Sequence, residues 1–481
     1  MRLIHFQNKV MFRIFIFFCS LNLMAQTQFN LTEDQAREEA ELAINYIKKS
    51  HPDQYWSNNK NIWDSYEKKL LERTGSISIG DQYFDLAYLF SLAMDTHTQI
   101  YPDKKTPGFA SVYPLRFRTF SDGLYIIAAD KQYENLVGKK VVSFGGKPAV
   151  ELMNLLANYV SADHFERKKT LAEFLLIMPE TYKYFGLSSE NGVKFELEDL
   201  QGNPSLVWIK HMENKSFSKV FYEDPNSFGI LVPDEWKTVY DVFDVKTPLT
   251  RRSLRKKYWH TTILDEQGQQ VEFIQINKNE NEQEGEQQFD FILSVFQEIR
   301  KKDSLVDRII IDLRYNLGGW IKNTAALPGL LYGSDFYKPG KTIVLIGRET
   351  VSAGTILAAD IEQHNYAFYI GEATGSKPNM FLEHKQVDLP YSKFYAESAT
   401  DVYIVTNQND TRSFIAPDYT INEKFSDFIS GEDIALKKAL EVTPDEVRHS
   451  QNGLYRDELW QRPSQKIALK NNSVELKEVQ N

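Results

Sequence analysis

The stretch TVSAGTILAADIEQ, residues 350–363, follows the apolar run TIVLIG, residues 342–347, after only Arg348 and Glu349. A buried strand, a turn of small residues and an amphipathic helix in that order make one unit of a layered α/β sheet. The turn centres on Ser352, which has two readings. Serine is a favoured helix N-cap, because its hydroxyl accepts an otherwise unpaired N–H of the first turn. A serine there also sits at the positive end of the helix dipole, which favours a developing anion, and the Ala353 N–H points the same way.

Working outward, strands and helices alternate from about Lys257. VEFIQINKN reads as a strand, QQFDFILSVFQEIRKK as a helix, DRIIIDLRYN and KTIVLIGRE as buried strands, TILAADIEQHN as a helix and AFYIGE as a strand. VDLPYSKFYAES and TDVYIVTNQ read as two further strands. The pattern predicts an α/β core over residues 257–445, a mixed sheet with helices. Within it IIIDLRYNLGGW, residues 309–320, brings Asp312, Arg314 and the bare backbone of Gly318 and Gly319 to a strand's carboxyl end, where open α/β sheets place ligands. In IGEATGSKPN, residues 370–379, Lys377 follows a Gly-containing turn after a buried strand, a setting that can desolvate an amine and lower its pKa. No Gly-x-Ser-x-Gly elbow surrounds Ser352, which weighs against an α/β-hydrolase.

Upstream, LTEDQAREEAELAINYIKKS predicts a helix with Thr32 as N-cap and Gln35 completing a capping box, and DQYFDLAYLFSLAMD a second helix leading into His97. The helical segment spans 26–111. YPLRFRTFSDGLYIIAAD then reads as a hairpin, NLVGKKVVSFGGKPAVELMNLLANYV as strand, Gly-Gly turn and helix, and FELEDLQGNPSLVWI as two strands. These make an α+β module over 112–212, with ADHFERKKTLAEFLLIM as a helical insertion. Residues 213–256 connect it to the core, and 446–481 form a C-terminal tail. There is no internal repeat.

Composition narrows the chemistry. The 481 residues, 42% hydrophobic, are enough for several cores. Arg2, Lys9 and Arg13 flank the apolar MFRIFIFFCSLNLM, and Ala25 precedes a polar stretch, the layout of a signal peptide over residues 1–25. Its loss takes three positive charges and moves the net charge from −10 to −13, against a nucleic-acid partner. It also removes Cys19, the one cysteine, so neither a thiolate nucleophile nor a zinc-thiolate site is expected. The nine histidines show no metal-ligand spacing, and no cofactor is expected. The expected setting is periplasmic or extracellular, with no membrane span after signal cleavage.

DLRYNLGG, TVSAGTILAADI and GEATGSKPN, followed by IAPDYTI and ISGEDIALKKAL, resemble the core motifs of the C-terminal processing peptidases and the related tricorn-type serine peptidases. The resemblance covers about 200 residues. It implies a serine peptidase acting on a peptide or protein substrate, with Ser352 as nucleophile and the N–H groups of Gly318 and Ala353 as oxyanion hole. Asp312 and Arg314 are expected to fix the strand end. The processing peptidases use a Ser-Lys dyad, which points to Lys377, although Ser376 stands where their motif has glycine. Tricorn-type members draw a histidine from a context such as Asp-x-His-Thr, which points to His97 in AMDTHTQIY; Asp410 is the acid near the Pro-Asp strand that could orient it. Lys377 and His97 compete as general base. GKKVVSFGGKPAVELM is similar to a PDZ-type segment, with Gly145 where asparagine is usual. A second function fits the same residues: an inactive, peptidase-like protein that binds peptides or other polymers, with Ser352 a helix cap.

Overall fold

The computed structural model describes residues 29–449 except 104, 110, 214–231, 302–304 and 365, together with 465–470 and 473–478. The signal peptide and Cys19 lie outside the described residues.

The first helix opens as its cap predicts. Helix α1 (Glu33–Ser50) carries the Thr32–Gln35 capping box and buries Ala36, Ala40, Ala43, Ile44 and Ile47 along one stripe. Helices α2 (Lys60–Leu71) and α3 (Ile79–Ser91) pack with it. Strand β1 (Gln99–Pro102) begins two residues after His97.

An all-antiparallel sheet comes next. Strands β2 (Leu115–Phe120) and β3 (Gly123–Ala129) form the expected hairpin, and β4 (Lys140–Phe144) touches β3 through Tyr125 and Lys140. Helix α4 (Ala149–Leu156) and the inserted helix α5 (Phe165–Leu175) precede β5 (Gly192–Glu198) and β6 (Pro204–Ile209), which pair in the order β6-β5-β4-β3. Gly145 turns at φ +58, and a Cβ there would lie 2.5 Å from the Leu187 carbonyl, so only glycine fits. One continuous apolar core runs through the N-terminal helices and this sheet.

The second large sheet has the order β7-β8-β9-β10-β11-β14. Its strands are β7 (Tyr258–Leu264), β8 (Gln270–Ile276), β9 (Val306–Asp312), β10 (Thr342–Ile346), β11 (Ala367–Gly371) and the two-residue β14 (Tyr419–Thr420). Only β7 on β8 is antiparallel. Strands β9 and β10 are covered on both faces, which is why IIID and TIVLI read as unbroken apolar runs. Helices α6 (Gln288–Lys301), α7 (Ala326–Tyr332) and α8 (Ala353–His364) contribute to the core on one face, and α9 (Ile434–Glu441) covers the other. Helix α7 was not legible in ALPGLLY, where Pro and Gly interrupt the pattern.

One strand assignment is corrected. VDLPYSKFYAES and TDVYIVTNQ are not two successive strands: β12 (Met380–Asp388) ends at Asp388, and β13 (Phe394–Tyr403) runs unbroken through both segments. The turn between them holds Pro390, which has no N–H for a ladder, and Lys393 at φ +65. Strand β13 pairs on one side with β12 and on the other with β1, giving a third sheet β12-β13-β1. The molecule is a mixed α/β assembly of several sheets and helices.

Candidate active site

Three loops meet at the carboxyl ends of β9, β10 and β11. The first leaves β9 through Asp312, whose carboxylate accepts two bonds from the Arg314 side chain at 3.0 and 2.7 Å. Arg314 also bridges to Asp433, the N-cap of α9, at 2.9 and 2.7 Å. Burial works against Asp433, but Arg314 holds its pKa well below the usual carboxylate range. These residues tie the strand end to a helix. Gly318 follows at φ +101, and a Cβ on it would lie 2.6 Å from Ser352 Cβ. Its N–H donates to Asn316 Oδ1 at 2.9 Å, so the first of the two expected oxyanion donors is engaged inside its own loop. The Ala353 N–H, at the first position of α8, has no acceptor within the helix.

The second loop carries Ser352. Thr350 pins it, donating to Leu313 O at 2.7 Å and accepting from the Gly347 N–H at 3.0 Å. The Ser352 carbonyl accepts the first helical bond from Ile356, as an N-cap would. Its backbone does not match: capping residues are extended, whereas Ser352 lies at φ +52. An L-residue held there costs roughly 1–2 kcal/mol, a strain that clusters at functional sites. The hydroxyl lies 3.0 Å from His97 Nε2.

His97 arrives from the loop between α3 and β1, 255 residues away in sequence. Beside it Asp95 is buried, with one oxygen 3.8 Å from His97 Nδ1 and accepting the His97 N–H at 3.1 Å. The other oxygen accepts from Thr98 at 2.6 Å and lies 3.4 Å from His51 Nε2. Burial alone would raise the Asp95 pKa, but the two histidines hold it well below the carboxylate range. Burial likewise works against a charged His97; Asp95 outweighs it, with Asp163 and Glu397 adding to the same effect, and the imidazole pKa is raised. Glu397, on β13, is itself lifted by burial against the opposing charges of His384 and His97.

Lys377, in the third loop, makes no hydrogen bond to Ser352 among the described residues. Its ammonium packs against Trp56 and Phe381 and lies 3.9 Å from Asp163 Oδ1. Of the two candidates, His97 and not Lys377 lies within hydrogen-bond reach of the Ser352 hydroxyl. Asp410 is elsewhere, bonded to Arg412 and Thr406. The carboxylates around His97 are Asp95, Asp163 and Glu397. Only Asp95 left a sequence signal, two residues before His97; Asp163 sits at the foot of the helical insertion and Glu397 in a strand with a distant partner. The insertion braces the site, through His164 on Thr374 O at 2.7 Å and Arg167 on Arg348 O at 3.0 Å. Among the described residues no cluster of His, Cys, Asp or Glu is arranged to hold a metal ion, and no helix is long and apolar enough to cross a membrane.

No family model and no curated protein matches the sequence. Solved structures are. Mature CPAF superposes with a TM-score of 0.58 at 12% identity over 87% of this chain and 98% of that one. Mature CPAF complexed with lactacystin gives 0.59 at 12% identity over 85% and 97%. The photosystem II D1 C-terminal processing protease aligns over 85% and 98% at 12% identity, with a TM-score of 0.40. The chain thus has the fold of mature CPAF over most of its length.

Proposed function

We propose that this chain is an exported serine peptidase in which Ser352 is the nucleophile and His97 the general base. The observation that carries the reading is the 3.0 Å approach of His97 Nε2 to a serine hydroxyl held at φ +52. A histidine serves as base near neutral pH without the strong depression a lysine needs. His97 Nε2 takes the Ser352 proton as Oγ attacks the scissile carbonyl carbon. The oxyanion forms against the Ala353 N–H, and the Gly318 N–H joins it by sharing or releasing Asn316 Oδ1. His97 then gives the proton to the leaving amine, and water, deprotonated by the same imidazole, frees the acyl group. Asp95 favours the tautomer with the proton on Nδ1 and stabilises the imidazolium. The antiparallel sheet with α4 is read as a PDZ-like module, supported by the strand–Gly-Gly–helix order over 138–153. Export rests on the signal-like residues 1–25.

The test is labelling of the mature protein with a fluorophosphonate, beside digestion of a peptide library. Wild type is expected to label and cleave, Ser352→Ala to do neither, and His97→Ala to lose at least ~100-fold in rate. A wild type that neither labels nor cleaves overturns the peptidase reading in favour of a peptide-binding protein on the same fold.

A further inference from the structure

Lys377 occupies the position that its motif reserves for a base, yet its ammonium is committed elsewhere. It lies 3.6 Å from the centre of the Trp56 ring and 4.1 Å from that of Phe381, with Asp163 on its open side. The lysine side chain is 10% exposed and the aspartate 1%. Burial lowers the Lys377 pKa and the Asp163 charge opposes the fall. Burial lifts Asp163 to about 6, with the Lys377 charge opposing the rise. Each group therefore favours the charged form of the other where water cannot.

From Asp163 a chain of hydrogen bonds runs to the nucleophile, all in one direction. The Thr96 hydroxyl donates to Asp163 Oδ2 at 2.6 Å. The Ser376 hydroxyl donates to Thr96 Oγ1 at 3.4 Å, and Ser376 Oγ accepts the Ser352 N–H at 3.2 Å. A carboxylate at the far end forces Thr96 to donate, which leaves the threonine oxygen to accept from Ser376 and the serine oxygen to accept from Ser352. A protonated Asp163 that donates to Thr96 reverses the threonine hydroxyl and takes from Ser376 its acceptor, while the Ser352 N–H still donates to Ser376 Oγ. Glycine, usual at the position of Ser376, has no hydroxyl to make this link. Thr96 is also the neighbour of His97, so one carboxylate orders the loops that carry both base and nucleophile.

We propose that Lys377 is a positioning residue: it keeps Asp163 an anion, and Asp163, through Thr96 and Ser376, holds the Ser352 main chain in register with His97. The proposal rests on the reading of Ser352 and His97 as nucleophile and base. The groups facing Asp163 are Lys377, Asp95, His97 and Thr96, and behind them stand His51, Asp53 and Glu397.

The experiment measures fluorophosphonate labelling rates against pH, with peptide kcat and KM, for Lys377→Met, Asp163→Asn, Ser376→Ala and the Lys377→Met/Asp163→Asn pair in the mature protein. Each single variant is expected to lose roughly 10- to 100-fold in labelling rate and kcat, with KM within about 2-fold. The pair is expected to be no slower than its slower member. Lys377→Met should gain an ionisation above about pH 6, with activity recovering as Asp163 deprotonates at higher pH, and that ionisation should be absent from the pair. If Lys377→Met lowers Tm but leaves the labelling rate and pH profile of the folded protein unchanged, the lysine is structural only and the proposal falls while the Ser–His reading stands. If Lys377→Met abolishes labelling and His97→Ala retains it, the lysine is the base and both fall. Ser376→Ala, which alters no charge, keeps the test open should the buried-charge variants fail to fold; full activity in it overturns the proposal.

Discussion

Ser352 and Gly318 are fitted to each other. The serine hydroxyl and the Ala353 N–H crowd the space a Cβ on Gly318 would need, the contacts being 3.0 and 3.2 Å. Gly318→Ala is therefore expected to destabilise the protein by roughly 1–3 kcal/mol through strain at a positive φ and to suppress labelling, read by urea unfolding and by the probe. The His97 pKa makes a second prediction at this scale. A base must be neutral, and a pKa raised above the ordinary imidazole value puts the acid limb of kcat/KM above the usual histidine range. Asp95→Asn removes the largest influence raising that pKa, so its limb should move to lower pH while the rate falls; an unmoved limb in the pH–rate profile would rule Asp95 out as the partner. The proposed base was half-visible in the sequence: Asp-x-His-Thr pointed to His97 and the lysine motif to Lys377, and spacing along a chain carries no information on which reaches a serine 255 residues from the histidine.

At the scale of elements, local rules account for most of what was legible. The Thr32 capping box, the hairpin at 115–129 and the apolar runs of β9 and β10 follow from residues within a few positions of one another. Helix α9 begins at Asp433, which accepts from the Ala435 and Leu436 N–H groups and receives Arg314 from the next layer. Asp433→Ala leaves the buried guanidinium half-paired and the helix uncapped, and is expected to cost about 3–5 kcal/mol in urea unfolding. Strand β1 shows the limit of local reading. QIYP is four residues long and becomes a strand because Phe394–Glu397 of β13 pairs with it. The same long-range pairing fuses two expected strands into β13 and delivers Glu397 to the neighbourhood of His97.

For the whole molecule, the seam between the antiparallel and the parallel sheets is charged. Arg348, just after β10, bonds Glu372 at 2.8 Å through Nε and reaches Thr119 O of β2 at 3.1 Å, while Arg118 of β2 meets Glu349 at 3.2 Å. Burial would raise the Glu372 pKa, but Arg348 holds it down to about 2 from an ordinary 4.5. A depressed carboxylate contributes stability that is complete above its unfolded value and is lost as pH falls, here between about 4.5 and 2. Acid unfolding followed by circular dichroism should thus begin below pH 4.5, and Glu372→Gln should flatten that dependence; an unchanged slope would assign the acid sensitivity to other carboxylates. The sequence by itself determined the secondary structure wherever periodicity and caps are local. It also singled out Ser352, the glycines after β9 and the resemblance that unites them, because these lie in contiguous motifs at strand ends. Only the tertiary structure decided what gathers around Ser352 and His97. His97, Asp163 and Glu397 come from a loop, an insertion and a strand far apart in the chain, and they meet because burying three sheets against one another brings those segments together.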